Sequence, residues 1–168
     1  RILHARRPEV RLRVGGYLGQ RDRPFFKSLQ KSAQDLGDAF QYIGSPPDTR
    51  SKIEFLKSLD VLSVPTAYRE PKGLYVLEAL ANGVPVVQPD HGAFPELIRA
   101  TEGGILVEPG HADALANALE ELANNPTRRI QLGTTGQQRV RELFGHQPMA
   151  NASLELFESL VAAHQRET

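Results

Sequence analysis

The chain contains no cysteine and a single methionine, Met149, and its formal net charge is zero. Without cysteine there is no disulfide framework and no cysteine-ligated zinc, a composition that fits the cytoplasm. Twenty basic side chains balance twenty acidic ones, so no bulk field recruits nucleic acid or an anionic membrane, and any anion has to be bound locally. No apolar run approaches the ~20 residues needed to span a bilayer, and no charged-then-apolar leader is visible. The histidines, His4, His91, His111, His146 and His164, show no ligand spacing, and no metal site is expected. Ser63 and Thr66 have neither a nearby base nor a strained elbow, so no hydrolase triad is indicated.

A length of 168 residues is that of one domain with a sizeable core. Residues 1–7 read as the last turns of a helix stopped by Pro8. Val10, Leu12 and Val14 alternate with Arg11 and Arg13, which predicts a strand with one polar face. The glycines at 15, 16 and 19 do not form a dinucleotide fingerprint, because Val14 stands where its first glycine belongs. Pro24 opens an amphipathic helix that Gly37 closes. Phe40, Tyr42 and Ile43 make the next strand, and Ser51 with Glu54 reads as a capping box for the helix after it. Short apolar runs at 61–64, 84–87 and 104–107 continue the alternation with helices, and crossovers of a dozen residues or more imply a parallel sheet. Three helices close the chain. Gly133 and Gly136 weaken the middle one by roughly 1 kcal/mol each relative to alanine, which points to close packing or a bend.

Residues 68–88 are the stretch around which the rest is organised. Glu78 is the sole charged residue between Gly73 and Gln88, among Leu74, Tyr75, Val76, Leu77, Ala79, Leu80 and Ala81, and this pattern predicts a helix buried nearly all round. A carboxylate in such a helix requires a ligand or a neighbouring donor. Pro71 holds Glu70 extended, and the first amides of the helix, those of Gly73, Leu74 and Tyr75, lack helical acceptors and form an anion-sized cradle. Asn82 and Gly83 read as a left-handed stop, and Pro85 confirms it. In open parallel sheets ligands sit at the carboxyl ends of strands and against helix N-termini, where Glu70 and the Gly73 turn fall.

The run E-P-K-G-L-Y-V-L-E-A-L-A-N-G-V-P-V-V, followed by Gly92-Ala93 and Glu96, resembles the E-x7-E signature of retaining, group 1 glycosyltransferases with the two-domain GT-B fold. The resemblance covers residue 10 to the C-terminus. It implies an α/β fold, a Rossmann-like parallel sheet with helices on both faces, as one half of a GT-B fold lacking its first strand. Residues 1–168 would be the C-terminal nucleotide-sugar-binding domain, an excerpt of a longer polypeptide, with an unpaired edge beside the strand at 10–14. The donor would be a nucleotide-diphosphate sugar, with no metal and no further cofactor. The missing N-terminal domain would supply the acceptor groups, and its contact would allow a location peripheral to the membrane. The chain alone would not transfer sugar.

Carried onto this sequence, the resemblance makes Glu78 the acceptor of hydrogen bonds from the ribose hydroxyls, and Glu70 the catalytic residue that grips the donor sugar. Gly73, Leu74 and Tyr75 would present backbone N–H groups to the sugar or diphosphate. The competing readings are an acid favoured by a helix dipole for Glu78 and a solvated pairing with Arg69 or Lys72 for Glu70. Lys72 stands where relatives frequently have an aromatic. The Gly-Arg and Lys that in relatives neutralise the diphosphate are not present, and Arg11 and Arg13 do not replace them. Glu96 reads as a helix-start acid, and His91 as part of a surface loop. A sugar-nucleotide-binding module without turnover and a sugar-nucleotide epimerase of the same architecture remain alternatives.

Overall fold

The structure, a computed structural model, describes residues 1–167. A short helix α1 (Ile2–Arg6) leads into β1 (Leu12–Val14), α2 (Arg23–Ser32), β2 (Phe40–Tyr42) and α3 (Thr49–Lys57). After these come α4 (Leu74–Ala81), β3 (Val86–Pro89), α5 (Phe94–Thr101) and β4 (Gly104–Val107), then α6 (Ala112–Asn124), α7 (Pro126–Leu143) and α8 (His146–Glu167). The strands are parallel, with β1 against β2 (Leu12 opposite Phe40) and β3 against β4 (Val86 opposite Gly104). Among the described residues β1 has β2 as its one partner, so the edge expected beside it is unpaired.

The expected strand at 61–64 is reduced to one bridge, Leu62 to Val86. Leu62 donates to the Pro85 carbonyl and accepts from Val87 N–H, both at 3.0 Å, but the Val64 amide turns to the side-chain Oε1 of Gln88 at 3.1 Å. With Pro65 next, the ladder has no further donor. The sheet is therefore present as two parallel pairs, with Leu62 flanking the second.

Strand β3 is buried at every position and divides the core. Val86 packs with Val76, Ala79 and Leu80 of α4 and with Phe94, Leu97 and Ile98 of α5. Val87, on the opposite side of the pleat, packs with Ala118, Leu122 and Leu132 of α6 and α7. Helices therefore cover both faces. Gly133 and Gly136 are buried in α7, and a Cβ at 133 would stand 2.2 Å from the Gly83 carbonyl oxygen. Close packing, not a bend, is the reason for these glycines.

Local boundaries depart from expectation in three places. Asp48, not Ser51, caps α3 and accepts the Ser51 N–H at 2.7 Å; the helix starts earlier, and Glu54 pairs with Arg50 at 3.0 Å instead. Helix α2 stops at Ser32, and a 3-10 segment, Gln34–Ala39, kinks at Gly37 with φ 50°, a conformation that glycine adopts freely. Helix α4 is not buried all round. Val76, Ala79 and Leu80 are sealed, but Leu74 at its start is 59% exposed, because the N-terminal end of α4 opens to solvent.

Candidate functional site

The loop before α4 is built around the Glu70 carboxylate. Its Oε1 accepts the amides of Lys72 and Gly73, both at 3.1 Å, and its Oε2 is approached by the hydroxyls of Tyr68 at 3.3 Å and Tyr75 at 3.4 Å. No side-chain ion pair with Arg69 or Lys72 forms among the described residues, so the solvated-pair reading of Glu70 fails. The acid folds its own loop into a turn. Gly73 then caps α4 in the left-handed region, φ 63°, where a side chain would be strained. Of the three amides expected to form the cradle, Gly73 is engaged by Glu70, and those of Leu74 and Tyr75 open the helix.

Backbone donation from Lys72 and Gly73 holds the Glu70 carboxyl below its ordinary value of 4.5, with the two tyrosine hydroxyls adding to the effect and burial opposing it. Tyr75 moves the other way. Burial, and then the charge of Glu70, push its phenol far above the usual tyrosine range. A depressed carboxyl pKa contributes stability that is present above the unfolded value and is lost as pH falls through the folded one. The loop should therefore keep its hydrogen bonds through neutral pH and release them only below 4.5. Carbon-13 NMR of the Glu70 carboxyl should show a midpoint under that value; a midpoint at or above it would contradict the amide-held geometry.

The backbone of Glu70 is clamped from below by the turn between β3 and α5. Ala93 N–H donates to the Glu70 carbonyl at 2.8 Å. Gly92, at φ 61°, lies so close that a Cβ there would be 2.6 Å from that oxygen and 2.7 Å from the Glu70 nitrogen. His91 donates from Nε2 to the Thr66 carbonyl at 3.0 Å, and its buried Nδ1 has no partner among the described residues. It is thus a half-buried staple for the 66–70 loop and not part of an open surface loop. Glu96 lies in the first turn of α5, as expected of a helix-start acid, but it is exposed and makes no capping bond among the described residues.

Glu78 lies in the second turn of α4, and its Oε1 receives Lys52 Nζ at 2.6 Å. The two side chains are 40% and 44% exposed, so the pair is screened and contributes at most about 1 kcal/mol. The isolated carboxylate has its neighbouring donor, yet Oε2 has no partner among the described residues. Lys52 was missed from the sequence. The available signal was its position at i in the apolar i, i+4, i+7 stripe with Leu56 and Leu59 of α3 and the turn after it, where a lysine has no reason to be unless an acid faces it. Arg13 is engaged by the hydroxyl of Ser58 and the ring of Phe55, 5.5 Å from the guanidinium carbon, and Arg11 reaches the Asp38 carbonyl at 3.4 Å. Neither turns to the site.

Residues 1–139 match the family profile described as glycosyl transferases group 1. The chain belongs to the group 1 glycosyltransferases. Over 157 residues it is 31% identical to the lipopolysaccharide core biosynthesis glycosyltransferase LpsE of Rhizobium meliloti, covering 92% of this chain and 44% of that protein. Among solved structures it is similar to sucrose-phosphate synthase from Thermosynechococcus elongatus, at a TM-score of 0.81 and 29% identity over 96% of this chain and 41% of the other. It is also similar to the C-terminal domain of a group 1 family protein, LpcC, from Francisella tularensis, at a TM-score of 0.77 and 26% identity, covering 86% and 75% of the two chains. The chain spans less than half the length of the curated relatives it matches. Its architecture is α/β, one half of a GT-B glycosyltransferase fold. Among the described residues no helix is long and apolar enough to cross a membrane.

Proposed function

We propose that this chain is the C-terminal, donor-binding domain of a retaining glycosyltransferase that takes a sugar from a nucleotide-diphosphate sugar. The observation that carries the reading is the pair of carboxylates on α4 and the loop before it. Glu70 is fixed in its ionised form at the mouth of the helix, and Glu78, one oxygen free, stands further along beside Lys52. Glu78 accepts the ribose hydroxyls, with Lys52 holding the carboxylate in place. The amides of Leu74 and Tyr75 point from the helix start towards the diphosphate or the sugar, favoured by the helix dipole.

Glu70 takes hydroxyls of the donor sugar. Its charge faces the positive character that develops as the bond from the anomeric carbon to the diphosphate oxygen breaks. The acceptor oxygen bonds to that carbon on the face the diphosphate leaves, its proton passes to the departing diphosphate, and the anomeric configuration is kept. The residues that orient the acceptor lie largely in an N-terminal half of the same polypeptide.

Incubating the complete polypeptide with a panel of nucleotide-diphosphate sugars and a glycan acceptor tests the reading. One donor should be consumed, with release of nucleoside diphosphate, and proton NMR of the product should show the anomeric configuration of the donor. The 168-residue chain by itself should leave every donor intact, because positioning of the acceptor supplies much of the rate. Binding without consumption by the complete protein would make it a binding module, and an inverted product would exclude the retaining step.

A further inference from the structure

A cleft whose lining includes neither carboxylate lies at the carboxyl ends of β1 and β2. It has a volume of about 430 Å³, and its lining includes Tyr17, Arg23, Phe26, Lys27, Gln30 and Tyr42. The Phe26 and Tyr42 rings, 4.6 Å apart and tilted by 56°, form an aromatic floor. The Tyr42 hydroxyl fixes its ring by donating to the Gly16 carbonyl at 2.7 Å. Tyr17, 85% exposed, lines the cleft as well.

The charges of this cleft are poorly arranged for a structural role. Arg23 and Lys27 sit four residues apart on one face of α2, a repulsive spacing. Arg23 is also in the first helical turn, where the dipole disfavours a cation. Among the described residues neither has a carboxylate within ion-pair distance. Two uncompensated cations beside an aromatic floor suit an anion attached to a ring. A guanidinium with an ammonium matches a phosphate, aromatic rings take the apolar face of a sugar, and the Gln30 amide takes hydroxyls. The cleft is open and edged by polar groups, which does not suit an aliphatic tail.

We propose that this cleft binds a phosphorylated saccharide, with the phosphate between Arg23 and Lys27 and the sugar ring on Tyr17 and the Phe26–Tyr42 floor. The binding does not rest on the transferase reading above.

The 168 residues contain no tryptophan, so Tyr17→Trp in this chain places a unique fluorophore at the cleft and keeps an aromatic platform. Titrations of this variant with glucose 6-phosphate, glucose and inorganic phosphate should give saturable binding of the sugar phosphate at least about tenfold tighter than either component. Adding Arg23→Gln or Lys27→Gln should weaken it by about fivefold or more, with the urea midpoint unchanged or raised because a repulsion is relieved. No saturation with glucose 6-phosphate, an equal response to phosphate alone, or insensitivity to both cations would overturn the proposal. Displacement of the sugar phosphate by uridine diphosphate, or its loss in Glu78→Gln, would place the cleft in the donor site and overturn it too. If instead Glu78→Gln leaves nucleotide binding intact, the donor reading fails, while the sugar-phosphate titration stands unaffected.

Discussion

Gly133→Ala should destabilise the domain by about 2–3 kcal/mol and Gly136→Ala by about 1–2 kcal/mol, as read from urea unfolding midpoints. The sign is the opposite of what helix propensity dictates. Alanine in place of an interior helical glycine gains roughly 1 kcal/mol, partly by restricting the unfolded chain. Here the added methyl has no room. At 133 it would meet the carbonyl oxygen of Gly83 at 2.2 Å, and at 136 the Cα of Gly103 at 2.8 Å and Leu80 Cδ2 at 2.6 Å. A leucine methyl can rotate away, whereas the Gly83 carbonyl belongs to the turn that ends α4 at φ 77°, so the cost is larger at 133. The relief route would push α7 off α4, the helix that carries Glu78. A rise in midpoint for either variant would mean that α7 stands further from α4 than described.

Glu78→Gln and Glu70→Gln should fail in different ways. Losing the charge of Glu78 removes a charged acceptor from the ribose and leaves Lys52 without an anionic partner, so nucleotide affinity should fall by about 1–3 kcal/mol. A glutamine at 70 can keep accepting the Lys72 and Gly73 amides through its oxygen, and its amide can donate to the hydroxyls of Tyr68 and Tyr75, which accept as readily as they donate. The loop survives and only the negative charge is lost. Nucleotide affinity should then stay near that of the native protein, and turnover of the complete enzyme should drop on the order of 10²-fold, the effect of removing one charge-stabilising group from a transition state. Collapse of the loop in Glu70→Gln, seen as loss of amide protection at Gly73, would show that the charge itself holds the turn.

What was legible in the sequence followed from periodicity and from residue types with few alternatives. Gly104–Val107 emerged as a strand at its observed bounds, and Gly83 ends α4 with a positive φ as its Asn-Gly stop required. The helix after Pro126 and the buried run at Val86 were equally plain. The misses lie in side-chain contacts that periodicity does not specify. Val64 fails to extend a strand because a side chain from β3, Gln88, takes its amide. The Gly73 amide is not free because an acid three residues earlier turns back onto it. Lys52 meets Glu78 from a different helix, and no local pattern around Glu78 names that helix. The aromatic and cationic cleft at α2 was equally invisible, since Tyr17, Phe26 and Tyr42 are brought together by the parallel pairing of β1 with β2.

The central claim, that Glu78 serves the nucleotide and Glu70 the chemistry, is tested most directly by calorimetric titration of the nucleoside diphosphate alone into the complete native protein, Glu78→Gln and Glu70→Gln. The account predicts a dissociation constant raised by about 5- to 150-fold in Glu78→Gln, the equivalent of 1–3 kcal/mol, and nearly unchanged in Glu70→Gln. Equal losses in both variants, or a loss confined to Glu70→Gln, would contradict it.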